Sequence, residues 1–157
     1  MTYILMSIRV PFADLILRGE KTLEIRKGAP KAIREGPLCV LLYESKREGG
    51  RGKIVGWFTC RSIRRLWGMS EREVCDKACL ESWQLRRYAS ESRRDVAQLY
   101  AWQVEDATEL VEPVHLTKAA AACPPQSWRT LVPQAARNIL VLPTASKTEH
   151  ALHSTAK

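Results

Sequence analysis

Apolar and polar positions along the chain fall into short stretches, and each stretch predicts an element. Tyr3 to Ile8 is an apolar run of strand character. Pro11 suits the first position of a helix, Phe12, Leu15 and Ile16 recur at i, i+3 and i+4, and Gly19 suits the residue just past its end. Thr22 to Arg26 alternates, with Leu23 and Ile25 on one face and Glu24 and Arg26 on the other, as a half-buried strand does. Gly28 to Gly36 reads as a loop, and Leu38 to Tyr43 is a compact apolar run that predicts a strand buried on both faces. Ile54 to Cys60 predicts the next strand, with Gly56 a site for a bulge. These two strands and the polar, glycine-rich, basic stretch from Glu44 to Lys53 form a long hairpin with a mobile tip.

Further along, Ser70 and Glu73 have the spacing of a helix N-cap and its reciprocal partner. Val74, Ala78, Leu85 and Tyr88 predict helical structure from Ser70 to Tyr88, broken near Ser82. Ser90 to Gln98 fits a helical turn or a loop equally. Tyr100, Trp102 and Val104 alternate with Ala101 and Gln103, which predicts a strand. Pro113, Pro124 and Pro125 punctuate the chain beyond that strand, and Asn138 to Leu142 is a last candidate strand. After Pro143 branched apolar and aromatic residues nearly vanish, so the expected organisation is one domain over 1–143 and a frayed tail over 144–157. Many short strands interrupted by two helical segments predict an α+β domain, either a curved mixed sheet or a small barrel.

A length of 157 residues holds one domain, and 45% hydrophobic with 27% charged residues excludes wholesale disorder. The 25 Lys and Arg against 17 Asp and Glu give a net charge of +8, which favours polyanionic partners such as RNA, DNA or nucleotides. No run approaches the roughly 20 apolar residues of a membrane span, and the N-terminus lacks the basic, then apolar, pattern of a signal peptide. Five cysteines is an odd number in a chain long enough to fold without disulfides, which points to a reduced, cytoplasmic protein.

The densest chemistry is Gly19-Glu20-Lys21-Thr22-Leu23-Glu24-Ile25-Arg26. An ammonium, a carboxylate and a guanidinium gathered at a helix-to-strand turn can wall a charged pocket, or form an ordinary solvated ion-pair face. This octet, with Ser7 to Ile16 before it, resembles the signature of the ASCH domain, a branch of the PUA-like superfamily. Val40 to Lys46 followed by Gly50 to Gly56 looks like that family's hairpin. Tyr100-Ala101-Trp102 and Pro124-Pro125-Gln126-Ser127-Trp128 are similar to its late strand and closing motif. The four matches, in order, cover roughly Met1 to Trp128.

The resemblance implies a small β-barrel of about five to six strands with flanking helices and a central cleft, associated with RNA. The family's lysine, acidic position and arginine carry over onto Lys21, Glu24 and Arg26, with Ser127 and Trp128 closing the cleft. It also implies two enzymatic alternatives. One is an amidohydrolase that deacylates acylated cytidine, with Lys21 and Glu24 catalytic; the other is a ribonuclease. In the amidohydrolase branch a threonine stands where this chain has Glu24, and a further glutamate comes from a later helix, for which Glu73 and Glu81 are candidates. The expected ligand is single-stranded RNA or a modified base, without a cofactor.

Lys46, Arg47, Arg51 and Lys53 make the hairpin tip a candidate clamp on phosphates. It is not a P-loop, because Arg47 occupies the place of the first glycine and Ile54 that of the Ser or Thr after the lysine. Among the five tryptophans, Trp57 and Trp102 are expected in the core and Trp128 at a cleft edge, where it can stack a base. Arg61, Arg64, Arg65, Arg86, Arg87, Arg93 and Arg94 add positive charge around the helical region, as charge runs on solvated faces do. Cys75 and Cys79 lie i, i+4 without a histidine close in sequence, so no metal site is expected. His115, His150 and His153 show no triad arrangement.

Overall fold

The computed structural model describes residues 1–146. In chain order the elements are β1 (Thr2–Ile8), α1 (Phe12–Leu17), β2 (Leu23–Arg26), β3 (Leu38–Glu44), β4 (Lys53–Cys60) and β5 (Ile63–Arg65). There follow α2 (Glu71–Ala78), α3 (Ser82–Glu91), β6 (Tyr100–Gln103), β7 (Glu105–Val114), β8 (Trp128–Leu131) and α4 (Pro133–Leu140). The α+β class holds. Instead of closing one barrel of five or six strands, however, the strands form two ladders, a five-stranded sheet β7-β4-β3-β1-β8 and a three-stranded sheet β2-β6-β5. β1 and β3 run parallel, with Leu5 opposite Leu41, and the other pairings are antiparallel.

Period-two alternation explains the layers. In β1 and β3, Ile4, Met6, Val40 and Leu42 enter one core with Ala13 and Ile16 of α1 and with Trp102 of the smaller sheet. Their neighbours Leu5, Cys39, Leu41 and Tyr43 enter a second core with Leu110 and with Ala136 and Ile139 of α4. Both strands are therefore buried on both faces. A third core packs α2 and α3, through Val74, Ala78, Leu85 and Ala89, on Leu23, Ile25 and Ala101. Ser70 caps α2 as expected, accepting from the Glu73 amide at 3.1 Å, and the break between α2 and α3 falls at residues 79–81.

Gly56 sits at the bulge expected of it. The β4–β7 register shifts there, and a Cβ would meet the Thr108 carbonyl oxygen at 2.2 Å and Leu17 Cδ2 at 2.8 Å. Two expectations need correction. Asn138 to Leu142 is not a strand, because Pro133 starts a helix whose buried face is Ala135, Ala136 and Ile139. The expected tail begins too early: Thr144 bridges Leu110, and the Ala145 amide donates to the Glu109 carbonyl at 2.8 Å. The rest of that tail, 147–157, with His150 and His153, lies outside the described residues. Among the described residues no helix is long and apolar enough to cross a membrane.

Candidate functional site

Lys21, Glu24 and Arg26 meet because the turn after α1 folds back tightly. Gly19 adopts a φ of +79°, open to glycine without steric cost, and the amides of Glu20 and Lys21 both donate to the Leu15 carbonyl, at 2.9 and 3.0 Å. β2 then directs Leu23 and Ile25 toward the helices and Glu24 and Arg26 to the other face. The Lys21 ammonium donates to the Ala78 carbonyl at the end of α2, lies 3.2 Å from Glu24 Oε2, and stands 4.9 Å from the centre of the Phe12 ring. Glu24 Oε1 accepts from Arg26 Nε at 2.9 Å. Arg26 continues outward, one Nη donating to the Ser7 carbonyl at 2.7 Å and the other to Ser127 Oγ at 3.1 Å.

The gathering of the three groups is as expected, but its exposure is not. Their side chains are 2%, 9% and 10% exposed, so the three groups form a buried ion network. Burying charge is costly, and this network is tolerable because every charge faces an opposite charge or a carbonyl.

The network comes to the surface at Ser127. Trp128, half-buried, leans on the fully buried Trp102 with ring centres 5.8 Å apart and planes at 58°. Trp102 donates its indole N–H to the Gly28 carbonyl at 3.1 Å, and it is core, as expected. Tyr88 of α3 stands beside this candidate site, a neighbour that sequence reasoning did not place there. Burial pushes its phenol up, Glu24 adds to the rise, and Arg26, Arg94 and a hydrogen bond with the Lys27 backbone oppose it. The Lys27 ammonium lies 5.2 Å from the Tyr88 ring centre. Tyr88 and Lys27, the residue after Arg26, thus pair an aromatic ring with a cation.

The hairpin tip divides its cations. Arg51 turns inward and grips Glu44 in a fork, Nε to Oε1 at 2.9 Å and Nη2 to Oε2 at 3.0 Å, while Nη2 also reaches Asp14 at 2.9 Å. Burial alone would raise the Glu44 carboxyl, but the hydrogen bonds and charge of Arg51 outweigh it and hold the group below the ordinary carboxylate range. The guanidinium of Arg51 thus pins the tip to α1 and the strand end. Lys46, Arg47 and Lys53 are exposed, and none has an ion-pair partner among the described residues.

Of the two candidate helix glutamates, Glu73 pairs with Lys77 at 2.9 Å. Glu81 stands at the start of α3, where its amide donates to the Gln84 side-chain carbonyl at 2.8 Å, and it lines a hollow of about 440 Å³ with Phe12, Asp76, Cys79 and Gln84. The Phe12 ring that lines this hollow also has the Lys21 ammonium 4.9 Å from its centre. Cys39 and Cys60 are core thiols, which burial pushes up to about 11. Among the described residues no group of three or more His, Cys, Asp or Glu could hold a metal ion.

Two ladders with helices packed on them, and a buried charge network leading from a helix–strand turn to the surface, define a small α+β domain. The family model for the ASCH domain matches residues 6–119. The chain belongs to the ASCH domain family. Among solved structures it is similar to ASCH from Zymomonas mobilis, at 21% identity over 92% of this chain and 96% of that one, with a TM-score of 0.67. A serine-to-alanine mutant of the same protein gives 20% identity, 88% and 94% coverage and a TM-score of 0.70. The N-terminal domain of Staphylothermus marinus McrB is similar at 11% identity, with 88% and 92% coverage and a TM-score of 0.55. At these identities the likeness is one of fold. Comparison with curated proteins gives no match.

Proposed function

We propose that this ASCH domain binds single-stranded RNA, placing one base, modified or not, at the edge formed by Arg26, Ser127 and Trp128. The observation that carries the reading is the path of the charge network: Arg26 is fixed from behind by Glu24 and ends at the exposed Ser127 beside a half-buried tryptophan. Fixed donors beside an aromatic face suit a base, which offers a flat ring for stacking and edge atoms for hydrogen bonds. The exposed Lys46, Arg47 and Lys53 supply the phosphate contacts, and the tip that carries them is tied by Arg51 to Asp14 of α1. The net charge of +8 and the family's association with RNA agree with that choice. Lys21 and Glu24 serve as the buried support of Arg26.

Salt dependence tests this reading. The logarithm of affinity for a labelled single strand falls linearly with the logarithm of salt. Replacing Lys46, Arg47 and Lys53 together by alanine lowers that slope by about two, at roughly 0.7 per phosphate contact on single strands. Binding that ignores salt, or an unchanged slope in the triple variant, contradicts the reading. Incubation with acylated cytidine separates the amidohydrolase alternative: turnover abolished by Lys21→Ala would favour the enzyme, and strand binding without turnover the binding module.

A further inference from the structure

A second hollow, of about 500 Å³, opens where α3 ends, walled by Arg86, Ser90, Arg93, Arg94, Asp95 and Gln98. Its charges are not equivalent. Arg86 is held by Glu71 through hydrogen bonds of 2.9 and 3.0 Å. The Gln98 amide donates to the Asp95 carbonyl at 3.0 Å and the Gln98 side chain accepts from the Asp95 amide at 2.9 Å, which closes the turn that carries the Asp95 carboxylate. Arg94 makes a long bond of 3.3 Å to the Ser92 carbonyl. Arg93 has no side-chain hydrogen bond or ion pair among the described residues. Two guanidinium groups that make no ion pair among the described residues thus line one hollow against a single carboxylate, Asp95.

The backbone at Arg93 is left-handed, as it is at Glu48, Cys79, Asp106 and Ala120 among the described residues. Its φ is +53°, and the turn closes with its amide on the Ser90 carbonyl at 2.9 Å and the Arg94 amide on the Ala89 carbonyl at 3.0 Å. Glycine favours that left-handed position after a helix, and an arginine there is disfavoured by its Cβ. Strain of this kind concentrates where a ligand is held.

The last turn of α3 links the hollow to the proposed base-binding edge. Tyr88 stands two residues before Ser90, and the ammonium of Lys27, the residue after Arg26, lies 5.2 Å from its ring centre.

We infer that Arg93 and Arg94, with the Ser90 hydroxyl, form a phosphodiester subsite for the backbone of the strand whose base lies at Arg26 and Ser127. A guanidinium presents paired N–H donors that match two phosphate oxygens, and two such groups flanking a hydroxyl fit one phosphodiester. This inference rests on the RNA-binding reading above and extends its footprint along α3.

The test compares a trinucleotide with a single strand of about twelve nucleotides, within the usual span of a single-strand site. For the full chain carrying Arg93→Ala and Arg94→Ala, affinity for the long strand falls on the order of a hundredfold, about tenfold per charged contact. Its salt slope falls by about 1.4, and affinity for the trinucleotide stays within about twofold. Arg93→Gly separates binding from folding. It relieves the backbone, so Tm holds or rises while affinity for the long strand drops about tenfold. A double variant that binds the long strand with wild-type affinity and slope overturns the subsite and leaves the RNA-binding reading standing. Equal losses for both strands also overturn a separate subsite. A wild-type chain that binds neither strand overturns both readings.

Discussion

Glu24→Ala lowers the stability of the domain by about 3–5 kcal/mol, the usual cost of leaving a buried ion without its partner. Glu24 accepts from Lys21 and Arg26 through different oxygens, at 3.2 and 2.9 Å, so one truncation strands two cations at once. Lys21 would keep the Ala78 carbonyl, and Arg26 would keep Ser7 and Ser127, but neither carbonyl nor hydroxyl neutralises charge. Glu24→Gln retains the shape and costs less. Urea denaturation reads the effect as a lower midpoint at unchanged slope. A loss below about 1 kcal/mol would mean that water reaches the network, as it does at surface pairs. The companion experiment replaces Lys21, Glu24 and Arg26 together with apolar residues of similar volume. Stability then recovers much of the loss, because a buried ion network is often no more stabilising than a packed apolar one. Ligand binding does not recover, since the Arg26 donors are gone.

Trp102→Ala carries a comparable cost, about 3–5 kcal/mol, from the lost burial of a large side chain and the cavity left behind. Trp102 is wholly buried, joins the smaller sheet to the core of the larger one, and satisfies the Gly28 carbonyl. At the usual 2–4 °C per kcal/mol for a chain of this size, Tm falls by roughly 6–20 °C. Trp102→Phe refills most of the space and costs about 1–3 kcal/mol, chiefly for the unpaired carbonyl. The functional consequence concerns Trp128, whose ring leans on Trp102. Without that support the near-ultraviolet circular dichroism of the tryptophans weakens even where the fold survives, and base stacking at the edge weakens with it. A Trp102→Ala chain with an unshifted Tm would remove Trp102 from the joint between the sheets.

Much of this architecture is written in local pattern. The apolar runs of β1, β3 and β4 give those strands directly, Ser70 and Gly19 mark real helix ends, and the octet from Gly19 to Arg26 locates the charge network. The misses have physical reasons. The end of α4 reads as a strand because alanines at positions 135 and 136 contribute little to an apolar run, although Pro133 marks its start. β7 shows no apolar run because it is an edge strand with only Leu110 fully buried. The pairing of Arg51 with Glu44 is also hidden in the sequence, since nothing local reveals that Glu44 folds beneath it. Burial of the network is equally invisible, because it depends on Ser127 reaching Arg26 across 101 positions of chain and on α2 delivering the Ala78 carbonyl. Tyr88 stands beside the candidate site through tertiary packing that no helical period encodes.

The most direct measurement is a titration of isotope-labelled protein with a short single-stranded RNA, following backbone amides, the Trp128 indole and the Arg26 Nε by NMR. Saturable shifts should be largest at Arg26, Lys27, Tyr88, Ser127 and Trp128, with smaller ones at Lys46, Arg47 and Lys53. Shifts confined to α4 and β7, or none at all at low salt, would contradict an RNA-binding edge at the outer end of the Lys21–Glu24–Arg26 network.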